Sequence, residues 1–164
     1  MISRRNFLSI SLSTILLERF SFSDALAAGA DISHGSRDKK EVALTFHGAG
    51  DIKIANEILA ITKDLKTPIT VMAVGNWLSA NPNIGKSILV DGHELGNHTY
   101  SHQAMLHLNL KQATNEIQRG KAALKSAVGS SQKYFRPSGT PKSNATIRKA
   151  ALAAGYSNCI TYDV

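Results

Sequence analysis

The chain has 164 residues, a formal net charge of +7, one cysteine and 6% aromatic residues. A single cysteine, Cys159, excludes an intramolecular disulfide framework. The lysines and arginines between positions 39 and 149 are scattered, without the basic stripe and interleaved aromatics of a nucleic-acid reader. In chain order, Met1-Ile2-Ser3-Arg4-Arg5-Asn6-Phe7-Leu8 reads as the start of a twin-arginine export signal. The apolar run over residues 7–17 is too short for a stable membrane span. Ala25-Leu26-Ala27 supplies a small-x-small cleavage pattern, so residues 1–27 are expected to be an address read by the twin-arginine export machinery, and the mature protein to be exported. Residues 28–40 read as a linker, and residues 41–164 as one domain.

Within that domain, residues 41–46 (Glu-Val-Ala-Leu-Thr-Phe) form an apolar strand pattern, and residues 51–65 carry Ile52, Ala55, Ile58, Leu59 and Thr62 at helical spacing. Pro68 opens a second strand over residues 69–74. A short helix over residues 83–90 follows, closed by Gly92. Residues 110–128 predict a long amphipathic helix with Ile117, Ala122 and Leu124 inward, stopped by Gly129. Residues 134–136 read as a strand ending at Pro137, residues 143–154 as a helix capped by Ser143, and residues 158–164 as a last strand in which Cys159 is a buried thiol. Strands alternating with helices specify an α/β fold with a parallel sheet, open or curled into a barrel. In either form the ligand site lies at the carboxyl ends of the strands, where His47, His98, His102, Arg136 and Asp163 fall in this reading.

The most informative stretch is Gly92-His93-Glu94-Leu95-Gly96-Asn97-His98-Thr99-Tyr100-Ser101-His102. Position 97 is asparagine, so a His-Glu-x-x-His zinc-protease helix does not fit. His98 and His102, four residues apart, would project from one face of a helical turn and reach one cation.

These motifs resemble the polysaccharide deacetylase family, carbohydrate esterase family 4. Residues 92–102 match its metal-binding histidine motif. Phe135-Arg136-Pro137-Ser138-Gly139 is similar to its third motif, Tyr162-Asp163-Val164 to the start of its fourth, and Val42-Ala43-Leu44-Thr45-Phe46 to the strand before its first. The first motif departs from the family's Thr-Phe-Asp-Asp-Gly, reading Thr45-Phe46-His47-Gly48-Ala49-Gly50-Asp51. His47 therefore stands at the position of the catalytic base and Gly48 at that of the ligand carboxylate. Asp51, three residues on, is either a displaced carboxylate ligand or the cap of the following helix. His47 can serve as base or as third ligand.

The resemblance implies a distorted, incomplete (β/α) barrel of the glycoside hydrolase and deacetylase type. It also implies a divalent metal, zinc being the expected ion, held by Asp51, His98 and His102, with His47, Arg136 and Asp163 as catalytic residues. Ser138 is the expected oxyanion donor and Tyr100 a surface for an acetylated glycan of peptidoglycan, chitin or xylan type. Family members continue to a Leu-x-Leu-His motif that supplies the general acid, so the carboxyl-terminal part of the domain is expected to be missing.

Overall fold

The structure, a computed structural model, describes residues 30–163. The export signal expected over residues 1–27 lies outside them, as does Val164. The described residues form five short strands: β1 (Asp31–Ile32), β2 (Thr45–Gly48), β3 (Thr70–Ala73), β4 (Glu94–Asn97) and β5 (Cys159–Ile160). The helices are α1 (Ile52–Asp64), α2 (Gly75–Ala80), α3 (Ile84–Val90), α4 (Leu110–Val128) and α5 (Ala145–Ala153), with a 3-10 turn over Met105–His107.

Strands β2, β3 and β4 pair in parallel in that order, with Gly48 opposite Ala73 and Ala73 opposite Asn97. Parallel neighbours require crossovers, which α1 supplies for the first pair and α2 with α3 for the second. Residues 134–136 continue the array through a single bridge, Asn97 to Phe135, and not through the full strand the sequence suggests. The Asn97 N–H donates to the Tyr134 carbonyl (2.8 Å), the Arg136 N–H to that of Asn97 (2.9 Å) and the Ile160 N–H to that of Phe135 (2.7 Å). Beyond them β5 pairs in parallel with β1, which lies in the stretch expected as a linker. Among the described residues the outer edges of β1 and β2 do not pair, so the α/β array is open.

Each main helix begins where a short polar side chain accepts an orphan amide. Asp51 accepts from the Lys53 N–H (2.8 Å), and Asn144, one residue after the expected Ser143, accepts from that of Ile147 (2.8 Å). Ser143 instead donates its N–H and hydroxyl to the Asp31 carboxylate, tying α5 to β1. Helix α4 starts with a reciprocal capping box between Asn109 and Gln112 and ends at Gly129 with φ of 79°. Its buried face is Ala113, Glu116, Ile117, Gly120 and Leu124, whereas Ala122 is exposed. Helix α2, which the sequence did not suggest, turns Trp77 and Leu78 into the core before Pro82.

The apolar interior divides in two. Leu59, Val71, Leu78, Ile88, Leu95 and Leu124 fill one part, and Met105, Ile117, Phe135, Ile147, Tyr156 and Cys159 the other. At ~25 cal/mol per Å2 of apolar surface removed from water, these side chains hold the strand ends in place.

A three-histidine candidate metal centre

The site is built at the carboxyl ends of β2 and β4, the two parallel strands that flank β3. Strand β2 carries His47, in register with Met72, and β4 ends at Asn97, immediately before His98. The segment after β4 is not the helical turn that the four-residue spacing suggests. It is a loop in which Thr99 (φ 66°) and His102 (φ 58°) occupy the left-handed region. A β-branched residue rarely adopts that conformation, so the surroundings must enforce it.

They do so with backbone and buried side chains. The His98 N–H donates to the Ala73 carbonyl (2.9 Å). The first amides of α2, Gly75 and Asn76, donate to the carbonyls of Thr99 and Tyr100 (both 2.9 Å). Asn97, fully buried, accepts from the Thr99 N–H (3.0 Å) and donates to the Ile117 carbonyl (2.9 Å) and the Tyr156 hydroxyl (3.1 Å). The Thr99 hydroxyl meets that of Ser138 (2.9 Å). Glu116, 3% exposed on the inner face of α4, accepts from the Ser101 N–H (2.9 Å) and hydroxyl (3.0 Å). Sequence reasoning passed over Asn97 and Glu116. The available signal for Glu116 was an acid on an otherwise apolar helix face.

These restraints bring the rings of His47, His98 and His102 together, with one ligand-capable atom of each within 4.8 Å of the others. The rings of His47 and His98 stack at 4.4 Å between centroids, and His102 stands edge-on to His98 at 4.9 Å. His98 is 1% exposed and donates Nδ1–H to the Arg136 carbonyl (2.9 Å), which leaves Nε2 as the lone-pair nitrogen. That Nε2 is buried and has no hydrogen-bond partner among the described residues. Burial, foremost, together with the nearby His47, His102 and Arg136, lowers the His98 pKa to about 3 against the pull of the Arg136 carbonyl. Partial desolvation, then the Arg136 charge and His102, lower that of His47. A neutral imidazole with an orphaned buried nitrogen fits a divalent metal, and the three imidazoles could supply its ligands.

The remaining expected residues are placed differently. Asp51 is outside the histidine group, because its carboxylate caps α1. The capping alternative therefore describes the contact that Asp51 makes. Arg136, 3% exposed, donates to the carbonyls of Ile160 (3.3 Å) and Thr161 (3.2 Å) and lines a cleft of 570 Å3 with His47, Tyr162 and Asp163. Asp163 pairs with Arg37 at 3.6 Å on the open side of that cleft. The Ser138 hydroxyl is spent on the Gln103 carbonyl (2.6 Å) and Thr99, so the side chain braces the loop. Arg119 lies 3.7 Å over the Tyr100 ring and covers one of its faces. Trp77 is buried, its indole N–H donating to the Gly50 carbonyl (3.1 Å) at the turn between β2 and α1. His93, at the opposite end of β4, contacts Thr62 (3.3 Å) in the interior.

The polysaccharide deacetylase family model matches residues 34–159. A peptidoglycan-N-acetylglucosamine deacetylase of Bacillus cereus is 35% identical over 103 residues, 63% of this chain and 38% of that protein. Among solved structures, a peptidoglycan N-acetylglucosamine deacetylase superimposes with a TM-score of 0.73 at 30% identity, covering 85% of this chain and 64% of that one. A carbohydrate esterase family 4 pseudoenzyme from Bacillus anthracis does so with 0.74 at 26% identity, covering 82% and 47%. A mutant of that pseudoenzyme has restored enzymatic activity. This chain thus spans about a third to two thirds of the length of these relatives. The parallel strand order, the histidine loop after β4 and the family match together establish that the chain belongs to the polysaccharide deacetylase family.

Proposed function

We propose that the chain carries the metal-binding part of a hydrolase that removes acetyl groups from an N- or O-acetylated glycan of peptidoglycan, chitin or xylan type. The observation that carries this reading is the buried, unpartnered Nε2 of His98, aimed among three mutually close imidazoles. His98 and His102 hold the ion, and the Arg136 carbonyl fixes the tautomer and orientation of His98. When bound, a divalent ion, zinc as the expected one, polarises the acetyl carbonyl and makes water acidic near neutral pH.

The cleft beside His47 admits the acetylated sugar, and Tyr100 on the histidine loop is the expected stacking surface. Arg136 places a buried positive charge where the carbonyl oxygen gains negative charge, and the backbone at Ser138 adds a dipole there. Water adds to the carbonyl carbon, the bond to the sugar nitrogen or oxygen breaks, and acetate leaves. His47, beside His98 and His102 and lining the cleft, is the remaining imidazole, available as base or as third ligand. Asp163, which lines the same cleft, is a candidate to pass the proton lost by the water to the departing nitrogen or oxygen. The open parallel array is compatible with an incomplete (β/α) barrel, and the twin-arginine start supports action outside the cytoplasm on a cell-wall or extracellular glycan.

A second reading, a glycan-binding relative that keeps the metal and not the turnover, is favoured because, among the described residues, no carboxylate joins the histidine group. Bound metal and acetate release from acetylated chitin oligomers, peptidoglycan and acetylated xylan separate the two, measured for the purified chain and for His98→Ala. Metal with acetate release, both lost in His98→Ala, supports the hydrolase. Metal without acetate release supports the binding relative, and absence of metal overturns both.

A further inference from the structure

We propose that His47 is the third ligand of the metal, so that the site is built of imidazoles alone and selects a nitrogen-preferring divalent ion of the zinc, nickel and copper group over magnesium, calcium and manganese. This rests on the metal-binding reading above and narrows it. Among the described residues, three positions come into question for the third ligand. Gly48, at the position where the resemblance places a ligand carboxylate, has no side chain. A Cβ added there would lie 2.9 Å from both Ala73 Cα and Val71 Cγ1, so the position is closed against β3. Asp51 is committed to the amide of Lys53 and stands outside the group. His47 remains, with its ring stacked on that of His98 and a nitrogen within 4.8 Å of both other histidines.

The donor set then dictates the ion. Magnesium, calcium and manganese favour oxygen ligands, whereas imidazole suits zinc, copper and nickel. Three neutral donors also leave the full double charge of the ion uncompensated, unlike a site with one carboxylate. With Arg136 beside it, such a site retains an ion only where the metal–nitrogen bonds are strong.

The test uses the full chain stripped of metal, titrated by calorimetry with zinc and, separately, with manganese, and with cobalt followed by visible absorption. Circular dichroism checks the fold of each variant. One zinc per chain is expected, with no manganese binding at concentrations that saturate zinc. His47→Ala and His47→Gln are expected to lower zinc affinity on the order of 100-fold or more, beyond the 10–100-fold that supporting residues cost. Both should also change the cobalt spectrum, while Asp51→Asn leaves affinity unchanged. His47→Asp should keep zinc and gain manganese, because a carboxylate enters the donor set. Zinc bound equally by the wild type and both His47 variants overturns this inference and leaves the His98–His102 reading standing. A wild type that binds none of these ions overturns both.

Discussion

Glu116 shows how much a single side chain contributes to the site without reaching it. Its buried carboxylate grips the residue before His102 by two hydrogen bonds, and its charge is answered by Arg119 at 3.7 Å. Removing it leaves the Ser101 amide without its partner, at a cost of about 1–3 kcal/mol. It also frees His102 to leave its left-handed conformation. Glu116→Ala is therefore expected to weaken zinc binding by about 10–100-fold, as loss of an orienting partner does. Glu116→Gln keeps an acceptor oxygen and should restore most of it. Equal zinc affinity in wild type and Glu116→Ala would show that the loop holds itself. Cys159 makes a second case at this scale. It is fully buried, and burial pushes its thiol up to about 11. The folded chain therefore keeps the proton that the unfolded chain releases from about pH 9. The contribution to stability is complete below that pH and is lost as pH rises towards 11. A disulfide reagent at pH 8 should leave the native thiol unmodified and react at once after urea unfolding. Rapid reaction in the native state would contradict the burial.

At the level of elements, α4 has to approach the histidine loop closely, and Gly120 is what permits it. A glycine inside a helix costs about 1 kcal/mol relative to alanine, so Gly120→Ala would stabilise an exposed helix. Here an added Cβ would lie 2.9 Å from the Thr99 carbonyl carbon and oxygen and would strike Asn97 as well. The variant should lose roughly 1–3 kcal/mol in urea unfolding and bind zinc more weakly, since both contacts hold the residues flanking His98. A gain in stability would mean that α4 can move away freely. The helix itself was legible in the sequence from its periodic apolar face and the stop at Gly129, while the Asn109–Gln112 capping box emerged only in the structure. The loop it supports was not. A four-residue histidine spacing is equally compatible with a helical turn and with a path through two left-handed residues, and only the tertiary bonds to Ala73, Gly75 and Glu116 choose between them. The boundary at Asp51 shows the same limit, since a carboxylate after Gly-Ala-Gly serves equally as ligand or as cap until its amide partner is located.

For the molecule as a whole, the long-range pairings matter most, and local pattern carries little of them. Pairing of β1 with β5 joins residues at opposite ends of the described chain, and His98 is oriented by a carbonyl 38 positions away. The resemblance of residues 92–102 to a metal motif located the centre, yet the contribution of β2 to it follows from the register of β2, β3 and β4. That register gives a metal ion a mechanical role. His47 lies on β2, the outer strand of the array, whereas His98 and His102 lie on the loop braced by α2 and α4. An ion shared by the three would tie the outer strand to the interior of the fold, and the unfolded chain has no preformed equivalent. Binding to the folded state alone adds about 2.7 kcal/mol at a zinc concentration 100 times Kd and about 4.1 kcal/mol at 1,000 times. The melting temperature of the stripped chain should therefore rise by several degrees with zinc, keep rising with its concentration, and fall back on adding excess EDTA. His98→Ala should melt at the same temperature with and without zinc. His47→Ala should retain only the part of the shift that two ligands supply. If calorimetry detects tight zinc binding while the wild-type melting temperature stays fixed, the ion binds the unfolded chain as well, and the histidines are not organised by the fold.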